Sequence, residues 1–284
     1  MNNNNNTNTR IVTNPFILHA IFLITTIKEI ENNRFYLFME RLQKVQSSKM
    51  YRIPFYIFID NKLTTIQSIK LNSILSKFKI ESLFSTIEIV NNNILPENNA
   101  YNVEQKNKNT PAFGNSSGPN LHFYKTINYK VSNYKNVLIL ETDCFFIQHD
   151  WIDKLNYFIK DKFFWICGSK YYGNMFNRMD NFTKQHINGV AIYKRRDDFM
   201  EFIDFVFFYI KIKISLKDEH IINYDIAINN VIDLFNKRNM LLDSPIILNI
   251  SMKDDNKISN YIKIKPNSVL VHQKFNHYTD QKEK

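Results

Sequence analysis

The sequence predicts an α/β fold: a largely parallel central sheet with helices packed on both faces. Three observations predict it. Short, continuously apolar runs such as "IPFYIFID" and "NVLILE" alternate with longer stretches of helical spacing, and strands buried on both faces read as unbroken apolar runs. Strand-like and helix-like segments succeed one another along nearly the whole chain, the pattern of a sheet covered by its own crossover helices. No repeat of roughly 20–50 residues is visible, which argues against a solenoid or propeller.

The elements follow in order. Phe16 to Thr25 reads as a first strand, and Phe35, Phe38, Met39 and Leu42 have the spacing of a helix that buries one face. Ile53 to Ile59 forms a second strand closed by Asp60. "LTTIQSIKLNSILSKF" predicts a second helix with Ile66, Ile69, Ile74 and Leu75 turned inward, and "STIEIV" a third, shorter strand. The polar stretch from Asn91 to Ser117 is long for a connection, so it is expected to border a cleft and order on ligand binding. Pro119 suits the first turn of the helix "SGPNLHFYKTI", which leads into a strand ending at Glu141. Beyond it come a helix from Trp151, the strands "FFWICG" and "HINGVAIY", a long apolar helix after Asp197 and a shorter one from Tyr224. The strands "IILNI" and "SVLVH" complete the order.

Composition narrows the function. A chain of 284 residues that is 44% hydrophobic can bury a substantial core. Its formal charge of +10 favours anionic partners, but the lysines are scattered and no basic run is long enough for a nucleic-acid arm. No nucleic-acid partner is expected. Two cysteines, Cys144 and Cys167, exclude a disulfide framework and read as small buried residues of a reducing compartment. The apolar segment Pro15 to Ile27 is too short to span a bilayer and lacks a small-residue cleavage site, so it reads as a buried strand, with a membrane anchor as the second reading. The expected organisation is an Asn-rich N-terminus over residues 1–14 and one domain over 15–278, with a nucleotide-binding half (15–143) and an acceptor-side half (144–278). A polar tail covers 279–284, and the expected location is cytoplasmic or peripheral to a membrane.

The chemistry concentrates where the fourth strand ends. In "LILETD", Glu141 and Asp143 are one residue apart, and on extended chain both side chains face the same way. Open α/β sheets bind ligands beyond the carboxyl ends of their strands, and hard divalent cations take carboxylate oxygens alongside substrate phosphates. A solvated turn at the end of a strand has the same composition. Similar pairs of readings hold elsewhere. Asp60 suits a base or ribose contact or a turn residue, Asn120 is a substrate-binding candidate at its helix start, and Asn188-Gly189 suits a close approach by ligand or by backbone. His272 near the last strand's end can be a ligand through neutral imidazole or a hydrogen-bonded strand residue.

"NVLILETD", followed by an amphipathic helix, resembles the acid–x–acid motif of the GT-A glycosyltransferases. "HINGVAIY" resembles that family's Asn-Gly strand, and "SVLVHQKF" its late His with a following Lys. The resemblance spans roughly Phe16 to Phe275 and implies a Rossmann-like GT-A fold. It also implies transfer of a sugar from a nucleotide-diphosphate donor, expected to be a UDP-sugar, to an acceptor hydroxyl on a glycan, protein or small molecule. Mn²⁺ or Mg²⁺ would assist. Asp143 and His272 are then metal ligands, Glu141 joins them or meets the donor ribose, Asn188 and Gly189 lie beside the donor sugar, and Lys274 meets the diphosphate.

Asp225, opening the helix "NYDIAINNVIDLF" after the Asn-Gly strand, is the candidate catalytic base of an inverting transfer; an acid favoured by the helix dipole is the other reading. Two competing functions stay open. A nucleotidyltransferase shares the acidic pair but commonly carries a glycine-rich loop after its first strand, and "FLITTIKEIENN" has no Gly. A non-catalytic nucleic-acid or glycan-binding protein with a decayed site would need no metal.

Overall fold

A computed structural model describes residues 17–45, 53–99, 113–129, 134–172, 185–216, 222–252 and 265–275. The terminal segments 1–14 and 279–284, and positions 100–112 of the long polar connection, lie outside the described residues. Ten strands and seven α-helices occur among those described: β1 (Ala20–Thr25), α1 (Ile27–Glu31), α2 (Arg34–Lys44), β2 (Phe55–Ile59), α3 (Thr65–Lys77), β3 (Ile87–Asn91), α4 (Ser117–Ile127), β4 (Asn136–Glu141), β5 (Cys144–Phe146), α5 (Trp151–Ile159), β6 (Ile166–Tyr172), β7 (Ile187–Lys194), α6 (Asp197–Ser215), α7 (Tyr224–Ile232), β8 (Leu241–Asp243), β9 (Ile247–Met252) and β10 (Leu270–Phe275).

The strands form one path, β3-β2-β1-β4-β7-β6-β9-β10-β5, with β8 paired to β6 beside it. β1 is parallel to β2 and β4, and β2 to β3. β7 runs antiparallel to both β4 and β6, so β6 recovers the direction of β4. β8, β9 and β10 keep that direction, and β5 pairs antiparallel with β10. Only β5 and β7 oppose the rest. The largely parallel sheet expected from the apolar runs is present.

Strand periodicity explains how the sheet holds two helical layers. Ile21 and Leu23 of β1, Phe55, Ile57 and Ile59 of β2, and Leu138 and Leu140 of β4 pack into one core with α2, α3 and α5. The alternate residues Ala20, Phe22, Tyr56, Phe58, Val137 and Ile139 pack into a second core with α4, α6 and α7. Successive side chains of a strand point to opposite faces, so both sets must be apolar and the run has no polar break.

Two expectations need correction. On α3, Ile74 and Leu75 are buried, but Ile66 and Ile69 are 80% and 64% exposed. The buried stripe is Leu71, Ile74, Leu75 and Phe78, the i, i+3, i+4, i+7 series. The line through Ile66 and Ile69 instead continues into Asn72 and Ser73. The strand expected over "FFWICG" begins at Ile166, leaving Phe163 as exposed lead-in and Phe164 in the core. Both cysteines are free and buried, and among the described residues no helix is long and apolar enough to cross a membrane.

Candidate metal centre

The site forms where the chain turns from β4 into β5. Glu141 closes β4, Thr142 and Asp143 make the turn, and Cys144 enters β5, where it pairs with His272 of β10. That antiparallel pairing brings a residue from the end of the sequence against the two acids. His272 Nε2 lies 3.0 Å from Asp143 Oδ1 and 3.3 Å from Glu141 Oε2. One ligand atom from each of the three residues lies within 4.8 Å of the others. Two carboxylate oxygens and an imidazole nitrogen are a donor set that suits a divalent cation, and the nitrogen favours Mn²⁺ over Mg²⁺.

The ring is held from behind. His272 pairs with Asn249 of β9, and its Nδ1 donates to Asn249 Oδ1 at 3.0 Å, which leaves Nε2 turned to the acids. A hydrogen bond at the far nitrogen fixes tautomer and orientation in ligating histidines. Burial opposes the His272 charge, yet the Asp143 charge and the hydrogen bonds to Asp143 and Glu141 prevail and lift its pKa to about 10. A proton and a divalent ion therefore compete for the same nitrogen.

Supports surround the turn. Arg41 of α2 donates to the Cys144 carbonyl at 3.0 Å, and its guanidinium lies 4.0 Å above the Phe145 ring. Glu29 of α1 accepts a hydrogen bond from Thr142 Oγ1 at 2.6 Å. None of Glu29, Arg41, Thr142 or Asn249 was singled out by sequence. The one available signal was Asn249, a polar residue inside the apolar run "IILNI", because a buried amide must find a partner.

Asp225 occupies the first turn of α7 and is mostly buried, with Oδ2 3.6 Å from His186 Nε2, a neighbour the sequence did not suggest. Tyr193, buried in β7, has its hydroxyl pKa raised by burial first, then by the charges of Asp225 and Glu141.

Asp60, Asn120, Asn188 and Gly189 are engaged within the protein. Asp60 is buried, with Oδ1 accepting from the Ile27 and Asn61 N–H groups at 2.9 and 3.1 Å and Oδ2 from Asn99 Nδ2 at 3.0 Å. Asn120 is fully buried and donates to the Ile222 and Phe113 carbonyls, while its Oδ1 accepts from Tyr224 N at 2.8 Å. It clamps α4 to the start of α7. Asn188 Oδ1 accepts from Val190 N at 3.1 Å. At Gly189 the close approach comes from the protein itself, since an added Cβ would stand 1.7 Å from Tyr224 Oη. Lys274 belongs to β10, and its side chain lies outside the described residues.

No family model matches the chain, and no curated protein sequence matches it. Solved structures do. The galactosyltransferase LgtC, in complex with donor and acceptor sugar analogs, superposes with a TM-score of 0.51 at 10% identity, over 89% of this chain and 86% of that one. An active-site mutant of LgtC gives 0.54 at 11% identity, over 90% and 88%. Mouse xyloside xylosyltransferase 1, in its apo form, gives 0.51 at 8% identity, over 89% and 96%. The chain has the GT-A fold.

Proposed function

We propose that this chain is a metal-dependent glycosyltransferase that moves a sugar from a nucleotide-diphosphate donor, a UDP-sugar, to an acceptor hydroxyl on a glycan, protein or small molecule. The observation that carries the reading is the convergence of Glu141, Asp143 and His272 at the ligand-binding end of a GT-A sheet. The same three groups would hold Mn²⁺, or Mg²⁺ with poorer use of the histidine. When bound, the ion offsets the charge that develops on the leaving diphosphate.

The chain's own residues do the rest. Asn249 keeps His272 Nε2 directed at the site, and Arg41 steadies β5 beneath it. Asp225 receives the proton from the acceptor hydroxyl in an inverting transfer, with His186 at its side to orient the carboxylate. Asn188 and Gly189 of β7 lie beside the donor sugar, and Lys274 meets the diphosphate. Asp60 and Asn120 shape the donor side through their backbone bonds. A thermal-shift screen of nucleotide sugars with and without Mn²⁺ tests the proposal. Stabilisation by a sugar nucleotide only when Mn²⁺ is present is the expected result. Salt-dependent nucleic-acid binding with no response to any nucleotide sugar would overturn it.

A further inference from the structure

Thr142 stands between the two acids of the cluster, yet it is buried while they are partly open. Its hydroxyl is bonded to Glu29 and to neither acid of the cluster, so the side chain between the two acids is the one that anchors the turn. Its partner is Glu29, 113 positions earlier in the chain, whose Oε1 accepts from Thr142 Oγ1 at 2.6 Å. Glu29 Oε2 accepts from Thr26 N at 2.9 Å, Thr26 Oγ1 at 3.2 Å and Thr25 Oγ1 at 3.3 Å. In the same geometry Thr26 and Glu29 form the capping box that starts α1. One carboxylate therefore ties the end of β1 and the first turn of α1 to the turn after β4.

We infer that Glu29, acting through Thr142, is a positioning residue for the Glu141–Asp143–His272 cluster. The hydroxyl sits one bond from Cβ, so holding it holds the backbone of Thr142. That backbone is the span from which Glu141 and Asp143 project. Glu29 is not one of the three ligand-bearing residues, and an ordinary capping glutamate needs no second partner. The inference rests on the proposed divalent-ion site and adds to it the device that sets the spacing of the two acids.

The test measures binding of Mn²⁺ alone by calorimetry, with denaturant unfolding of each variant in parallel. Thr142→Val removes the hydroxyl without changing shape or charge, and Thr142→Ser restores it. Glu29→Ala removes the acceptor and a negative charge together, so the threonine pair separates positioning from simple electrostatics. Thr142→Val and Glu29→Ala are each expected to weaken Mn²⁺ binding by about 10–100-fold, the usual effect of losing a partner that orients a ligand. Thr142→Ser should stay near wild type, and the Glu29→Ala/Thr142→Val double variant should bind no more weakly than Glu29→Ala. Wild-type Mn²⁺ affinity in folded Thr142→Val, with only a lowered unfolding midpoint, would overturn the positioning role and leave the metal site standing. A folded wild-type chain that binds no Mn²⁺ would overturn the metal site and this inference with it.

Discussion

Gly189→Ala should destabilise the protein through one residue, Tyr224. The new Cβ would lie 1.7 Å from Tyr224 Oη and 2.7 Å from its Cζ, whereas ordinary contact begins at 3.4 Å. The tyrosine oxygen must retreat by about 1.7 Å, the difference between the first and last of these distances. It has little room to do so, because the ring is buried and stacks on Phe123 at 3.9 Å between centroids and 6° between planes. The backbone is pinned as well, with Tyr224 N donating to Asn120 Oδ1 at 2.8 Å. Overpacking a filled core costs about 1–3 kcal/mol, and the rigidity of this ring places the substitution toward the upper end. Equilibrium denaturation in urea reads it as a lowered midpoint at constant slope. The double variant Gly189→Ala/Tyr224→Leu should recover part of the loss, a coupling that a contact pair shows and distant sites do not. Wild-type stability in the single variant, or strictly additive losses in the double, would refute the assignment of Gly189 to this contact.

Further outcomes follow from the same geometry. Asp225→Asn should leave donor binding near wild type and cut turnover by roughly 10²–10⁴-fold if the acid accepts the hydroxyl proton; unchanged steady-state rates would remove it from the chemistry. Leu71→Ala should cost about 2–5 kcal/mol as a core truncation, while Ile69→Lys on the exposed side of α3 should change unfolding by no more than about 0.5 kcal/mol. Reversed values would mean that α3 presents its other face. Burial drives the Cys167 thiol up to about 12 and the Cys144 thiol well above its usual value, so both should resist a thiolate-directed alkylating reagent at about pH 8 until denaturant is added. Rapid modification of the native chain would contradict their burial.

Much of the sheet was legible because its strands are apolar on both faces. "NVLILE" and "IPFYIFID" admit few other interpretations, and Phe35, Phe38, Met39 and Leu42 mark α2 by spacing alone; all four are buried. Ile66 and Ile69 misled because an isoleucine reports apolarity without reporting direction, and the stripe is set by Leu71 and Phe78 together with Ile74 and Leu75. β5 and β8 have three residues each, too few for a period to emerge. The reversed direction of β7 has no local signature at all. At the site, the acids and His272 announced themselves by chemistry and position. Their supports did not, since Glu29 meets Thr142 and Asn249 meets His272 only through contacts 113 and 23 residues apart. Asp60 and Asn120 are polar residues at a strand end and a helix start whose bonds to backbone groups, and in Asp60 also to Asn99, no local pattern announces.

The central claim is that Asp143, with Glu141 and His272, holds the divalent ion through which a nucleotide sugar binds. The direct measurement is calorimetric titration of UDP-sugars into wild type and Asp143→Asn, each with saturating Mn²⁺ and with chelator. Asp143 lies at a strand end and is partly exposed, so the variant should keep the fold, with a lowered unfolding midpoint from the lost pairing with His272. Wild type should bind a UDP-sugar only in the presence of Mn²⁺, and Asp143→Asn should lose that Mn²⁺-dependent binding. A folded Asp143→Asn chain with undiminished, Mn²⁺-dependent donor affinity would contradict the account.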